Sequence, residues 1–295
     1  MNFSNHKGAI YMFASVALFS LMDILVKLTT NSYPVGEVTF FRGFFGLLPI
    51  FFLIPKKKFF TFFKTKKTKL HLLRAFAGSF ALISTFIAIK HLPLAEVVSI
   101  SFAAPIFVTI FSILYLKEKV GFKRWFAVIS GLIGVLIITK PGTALFNIYS
   151  IFPLFYCIGF SIVTISIKKL SKTEPDYLIA FYFTILLILI SILFLLFENW
   201  KFPNLKDFIF LSLVGICGSI ANLFMTSAYR IAEASLITPL KYLSIISAVV
   251  AGYYIFNEIP SVITLLGSML IVFSSFIIFM REKIKNKKII PLRQN

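Results

Sequence analysis

Several charged side chains interrupt stretches that are otherwise apolar, and each needs a counter-charge or a ligand. Lys241 lies about eight residues into an apolar run, which puts its ammonium some 12 Å deep at ~1.5 Å of rise per residue. Ionisable groups at such depth cost roughly 2.5–3.5 kcal/mol on insertion scales, so they face protein or a watery cavity, not lipid. Lys241, Ser244, Ala248 and Ala251 recur at helical spacing as one small, polar stripe. The chemistry this permits is recognition. The ammonium can receive a carboxylate or phosphate of a substrate, or it can close an internal ion pair. Tyr242, next in sequence, projects ~100° away around a helix, so the two cannot both point fully into one site.

A second polar stripe, Gly215, Gly218, Ser219, Asn222 and Thr226, offers close helix approach and an amide that must find a hydrogen bond. Asn222 and Ser219 are therefore substrate-contact candidates, alongside interhelical packing. Ser99, Ser244, Tyr156 and Tyr242 are further substrate-contact candidates, and Tyr11, Tyr182 and Tyr253 join the two tyrosines as pocket candidates, since each hydroxyl needs a partner. Asp23 and Lys27 are four residues apart, and an ion pair along one helix face is the expected explanation. Arg42, with Glu37 a turn and a half before it, is expected to join the same outer cluster. Asp23, Lys27, Glu96 and Arg42 are the candidates for coupling or gating, because a carboxylate that breaks a pair on protonation can tie transport to protons. Glu96 and Glu233 begin predicted helices, where negative charge meets the positive end of the dipole. Pro105 and Pro239 fall inside apolar runs at what reads as a paired position in the two halves, and are expected to kink them, as hinges or walls of a binding site.

Other chemistry is not supported. His6, His71 and His91 lie without metal-ligand spacing, so no metal is expected. No phosphate-binding glycine loop with Lys-Ser/Thr and no nucleophile motif occurs, so neither a cofactor nor enzyme activity is expected. Cys157 and Cys217 both fall in apolar runs and read as free, buried thiols.

The elements that must position these residues are membrane spans. The chain is 59% hydrophobic and only 14% charged, against roughly 25% charged in soluble domains. Apolar runs at 8–28, 40–54, 71–89, 94–116, 126–139, 150–167, 177–197, 208–229, 234–256 and 262–280 predict ten transmembrane helices joined by short loops. The runs lack the alternation of a barrel. The net charge of +19 sits in loops, notably Lys56–Lys69 and Arg281–Lys288, where it meets lipid headgroups rather than nucleic acid. Alternate loops carry 23 and 5 basic residues, which places both termini in the cytoplasm. The lysine-rich, AT-rich style of composition points to a bacterial inner membrane.

Self-comparison at an offset of 140–141 residues matches Phe19-Ser20, Lys27 and Pro34 with Phe160-Ser161, Lys168 and Pro175; it also matches Gly78-Ser79 with Gly218-Ser219 and Glu118 with Glu258. Equivalent loops carry opposite charge bias, as two five-helix halves of opposite orientation require. The predicted organisation is a first repeat at 1–145, a second at 146–281 and a basic cytoplasmic tail at 282–295. Inverted repeats are the architecture of many secondary transporters, with the site near midplane.

Phe19-Ser-Leu-Met-Asp-Ile-Leu-Val-Lys27, Glu37-Val-Thr-Phe-Phe-Arg42, Leu92-Pro-Leu-Ala-Glu-Val-Val98 and Ala232-Glu-Ala-Ser235 together resemble the drug/metabolite transporter superfamily. The likeness is to its EamA-type ten-helix members and spans essentially the whole chain. Lys117 and Asn257 stand where that family often has glycine before a glutamate. The resemblance implies a polytopic carrier of small metabolites with a central cavity between the halves. The expected function is thus a secondary transporter moving a small organic metabolite, with an acidic group suggested by Lys241, by alternating access. The alternatives are a channel, a non-transporting membrane scaffold or an intramembrane enzyme. Oligomeric state is left open.

Overall fold

The computed structural model describes residues 3–55, 63–116, 122–140, 142–143, 146–232 and 238–289. Among these the chain forms twelve α-helices: α1 Phe3–Thr30, α2 Val35–Phe44, α3 Leu47–Leu53, α4 Thr68–His91, α5 Leu94–Ser101, α6 Ala104–Leu116, α7 Phe122–Thr139, α8 Ile151–Leu170, α9 Asp176–Leu195, α10 Leu205–Ile231, α11 Leu243–Phe256 and α12 Val262–Ile289. Two 3₁₀ turns, Ile148–Ser150 and Thr238–Tyr242, lead into α8 and α11. Six helical segments are long and apolar enough to cross a membrane, and four shorter apolar ones, Leu94–Val108, Trp125–Thr139, Leu240–Phe256 and Val262–Ser274, bring the spans to ten.

Three spans are broken, each beside a proline. Such a ring removes one amide donor and clashes with the carbonyl four residues back, so the helix gives way just before it. Pro105 follows the interruption at Phe102–Ala103, and Pro49 follows the one at Phe45–Gly46. Pro239 lies within the 3₁₀ turn that opens the ninth span. Pro105 and Pro239 are not in equivalent register, since the repeat offset aligns Pro239 with Ser99. Even so, both breaks end within one or two residues of equivalent points, before Ala104 in one half and before Leu243 in the other.

Helix pairing follows the repeat. The most extensive interfaces are α1 with α10, α4 with α8 and α7 with α12. An offset of about 140 residues carries α1 onto α8 and α4 onto α10, so the first two interfaces are one contact seen twice. The third joins two equivalent helices. Every one of them crosses between halves, so the halves form a single core. Small residues allow the approach, as expected where lipid supplies no hydrophobic drive. A Cβ on Gly159 of α8 would fall 2.7 Å from the Ala77 carbonyl of α4, and one on Gly134 of α7 would fall 2.9 Å from the Gly267 carbonyl of α12. Exposed side chains such as Phe52, Phe197 and Tyr254 form the apolar jacket. α12 continues helically through 282–289, into the segment expected to be a tail.

Candidate functional site

We call the end bearing residues 31–34, 92–93 and 257–261 the outer end. There Asn257 adopts a left-handed conformation (φ 54°) that ends α11 and turns Glu258 back toward the bundle. Glu258 accepts from Lys27 Nζ at 2.5 Å and, through Oε2, from the backbone N of Leu94 at 2.9 Å. Lys27 Nζ also donates to the Leu92 carbonyl at 2.6 Å and lies 5.4 Å from the centroid of the Phe256 ring. One carboxylate thus joins α1, the start of α5 and the end of α11. This corrects the expected Asp23–Lys27 pair: Lys27 sits at the last turn of α1, where its long stem reaches across to Glu258 instead. Glu96 is in the first turn of α5, as expected, but it is Glu258 that binds the helix's first free amide. Glu96 accepts from Ser150 Oγ at 3.1 Å and lines a cavity of about 260 Å³ with Lys140, Ser150, Glu258 and Thr264. Ser99 lies one turn deeper, accepting from Ser268 Oγ at 2.7 Å. That bond to α12 makes it an interhelical contact.

Further outer contacts join the halves. The Gly36 amide donates to Glu198 at 2.9 Å, the Lys201 amide to Glu37 at 3.1 Å, and Tyr33 Oη to Asp207 at 2.9 Å. Burial and the adjacent Asp207 carboxylate push the Tyr33 phenol above its ordinary value. Glu37 therefore serves the 198–201 loop and not Arg42. Arg42 is wholly buried against α10, away from Lys27 and Glu258, so the expected outer cluster does not include it.

The middle of the bundle is different. Lys241 occupies the 3₁₀ turn and not an α-helix, so depth counted by α-helical rise from residue 234 does not apply. Its carbonyl accepts from Ser244 Oγ at 2.8 Å, so Ser244 stabilises the start of α11. Ala248 and Ala251 pack into the core on the same stripe. The ammonium lies 4.6 Å from the centroid of Phe160 on α8 and 5.6 Å from that of Tyr229 on α10. It has no carboxylate partner among the described residues. Tyr156 stacks on Phe160 with centroids 5.3 Å apart, and Tyr242 packs on Phe102 at 5.0 Å, beside the break in the fourth span.

Asp23 on α1 and Tyr229 on α10 both lie near Tyr156. Asp23 makes no ion pair among the described residues. Asn222 lies seven residues before Tyr229, two turns away on the same face of α10. Its backbone carbonyl accepts from Thr226 Oγ1, but its amide group finds no protein partner among the described residues. Asp23, Tyr156, Asn222 and Lys241 thus bring unspent hydrogen-bonding groups to a region walled by aromatic rings. Ser219, in contrast, donates to the Gly46 carbonyl at 2.7 Å and ties α10 to the break in the second span. Phe160 and Tyr229 were not singled out from sequence. Their signal was available in the i, i+4 spacing from Tyr156 and the i, i+7 spacing from Asn222.

Of the remaining tyrosines, Tyr11 stacks on Phe224 at 5.5 Å and Tyr182 donates to the Phe63 carbonyl at the inner end. Tyr253 is 53% exposed on the bundle's exterior, which corrects its reading as a pocket residue. Cys157 and Cys217 are free and buried. Glu118 and Glu233 lie outside the described residues.

A model of the EamA-like transporter family matches residues 6–140 and 147–280. The S-adenosylmethionine uptake transporter of Rickettsia prowazekii is 28% identical over 279 residues, covering 94% of this chain and 93% of that protein. The pseudopaline exporter of Pseudomonas aeruginosa is 27% identical, covering 86% and 89%. The riboflavin transporter of Vibrio cholerae is 26% identical, covering 98% of each. Among the solved structures that share the fold is a crystal structure with a TM-score of 0.61 at 16% identity over 92% of this chain and 96% of that one.

Proposed function

The chain belongs to the EamA-like transporter family, and from that premise we propose that it is a secondary carrier that moves a small organic metabolite by alternating access. The observation that carries the site is Lys241: an interior ammonium at a helix break, seated over the Phe160 and Tyr229 rings, with no carboxylate partner among the described residues. A half-buried ammonium set against aromatic faces, with no described counter-charge, favours a ligand that brings the missing negative charge. The substrate on this reading has an acidic group at Lys241, hydrogen-bonding groups for Asn222 and Tyr156, and a planar or apolar part against the rings. Asp23 gives the same region a carboxylate near Tyr156, which favours a substrate that also carries a cationic group.

The outer ion pair of Lys27 and Glu258 is the gate in this scheme, since it spans elements of both halves and must part for the outer end to open. Glu96 and Lys140 line the adjoining cavity. Pro105 and Pro239, beside breaks in the fourth and ninth spans, supply the hinges about which repeats 1–145 and 146–281 rock. The relatives named as transporters are bacterial, which supports a bacterial inner membrane, and the basic bias of alternate loops supports cytoplasmic termini.

The test is a thermal-stability screen of the purified protein against zwitterionic and anionic metabolites, run in parallel on Lys241→Ala. A ligand at 100 times its Kd should add about 2.7 kcal/mol to the stability of the native protein. A set of acidic metabolites that stabilises the native protein but not the variant supports the reading. An equal response in both removes Lys241 from the site. Uptake of the stabilising compound into proteoliposomes, driven only by an ion or substrate gradient, then separates a carrier from a scaffold.

A further inference from the structure

Two guanidinium groups lie buried in the bundle and remain unexplained by the Lys241 site or the outer gate. Arg42 on α2 is 1% exposed and Arg74 on α4 is 2% exposed. Each leaves Nε and Nη1 without an acceptor among the described residues. Neither forms an ion pair among the described residues, and Arg42 is near enough to Arg74 for the two charges to repel. Guanidinium does not shed its charge in proteins. Two like charges brought out of water together are unfavourable unless something negative lies between or beside them.

The surroundings are shaped for these groups rather than for filler. A Cβ at Gly218 would fall 2.3 Å from Arg42 Nε, and one at Gly46 would fall 2.8 Å from Nη1, so two glycines cut the slot in which the guanidinium lies. Arg74 Cζ lies 4.4 Å from the centroid of Phe183 on α9, which steadies the plane of its fork. One turn before it on α4, His71 is fully buried, lies tilted by 31° against Tyr182 with centroids 4.6 Å apart, and leaves both ring nitrogens without a partner among the described residues. The slot at Gly218 is one turn along α10 from Asn222 and some 16 Å from Tyr229 by helical rise, so it borders the Asn222 end of the region and is separate from the Lys241 contact.

We propose that Arg42 and Arg74 together hold an oxyanion, a phosphate or a carboxylate, in the interior between α2, α4, α9 and α10. Forked guanidinium donors match the planar or tetrahedral oxygens of such anions and bind them bidentately. The anion supplies the counter-charge the protein lacks and ties the first half to the second. The same chemistry is offered by a free anion and by the phosphate of an anionic lipid that enters between helices. The inference does not depend on which metabolite the protein carries.

The experiment uses the full-length protein, purified in neutral detergent and stripped of lipid, with melting followed at constant ionic strength as sodium phosphate replaces sodium chloride. A parallel series adds phosphatidylglycerol to the micelles. Phosphate or phosphatidylglycerol is expected to raise the melting temperature of the native protein by several degrees. That rise is lost in Arg74→Gln, which melts no lower than the native protein when both are free of oxyanion, because the repulsion is gone. Stabilisation by inorganic phosphate assigns the site to a free anion; stabilisation by the lipid alone assigns it to a headgroup. A native protein indifferent to both, or an Arg74→Gln variant equally destabilised in every buffer, overturns the proposal. Should that variant not fold, Arg74→Lys keeps the charge and removes the fork. It must then respond to phosphate at least tenfold more weakly, and an unchanged response overturns the proposal equally.

Discussion

Lys27 and Lys241 are both lysines inside the helical bundle, yet they are treated in opposite ways. Lys27 donates to a carboxylate and a carbonyl at an end of the bundle, and those contacts join three elements. Lys241 has aromatic faces and no described carboxylate. A cation that the fold has already neutralised holds the structure in one state. A cation left with unmet charge is free to respond to a ligand. In the proposed scheme this contrast distinguishes the gate from the binding site, and it can be broken by substitution.

The largest effect should fall on ligand affinity. Lys241→Ala is expected to weaken binding of an acidic substrate about 10- to 100-fold, the loss of one charge-assisted hydrogen bond of roughly 1.5–3 kcal/mol. Its melting temperature without ligand should stay close to native. Titration of the stabilising metabolite against both proteins measures this. Loss of stability together with affinity would mean that Lys241 is a structural cation after all.

Next is the gate. A double-mutant cycle on Lys27→Met and Glu258→Gln should yield a coupling of about 1–3 kcal/mol in stability, because the pair is in direct contact and largely buried. The same variants should raise the labelling of a cysteine introduced at Ser99 by an impermeant thiol reagent added from the outer side. A coupling near zero would remove the distinction between the two lysines. Smaller again is Asn222→Ala, expected to cost about 1 kcal/mol of ligand affinity with no measurable effect on the empty protein, since its amide group has no described partner. Tyr253→Ala, on the exterior, should change stability by less than ~0.5 kcal/mol and leave binding unaltered.

Part of this arrangement could be read from the residues in order. The length and apolarity of the runs gave ten spans, since the hydrocarbon thickness fixes how many apolar residues a crossing needs. Charge bias and the 140-residue offset gave the two halves, and Pro105 and Pro239 marked breaks because a proline's missing amide acts locally. Lys241 and Asn222 stood out for the same local reason: a polar group in an apolar run needs a partner wherever the helix goes.

Which partner it finds is not local. Asp23 and Lys27 have the spacing of a pair, but Lys27 turns to Glu258, 231 positions away in the chain, because α11 ends beside α1 in space. Arg42 looks like a neighbour of Glu37 and instead enters a slot cut by Gly46 and Gly218. Tyr253 and Tyr156 are alike in sequence context, yet one lies on the exterior and the other stacks on Phe160 near Asp23. Hydropathy and spacing determine that a segment is a buried helix and which residues share its face. Only the packing of ten such helices decides what each face meets, because in lipid that choice rests on close fit and paired polar groups rather than on hydrophobicity.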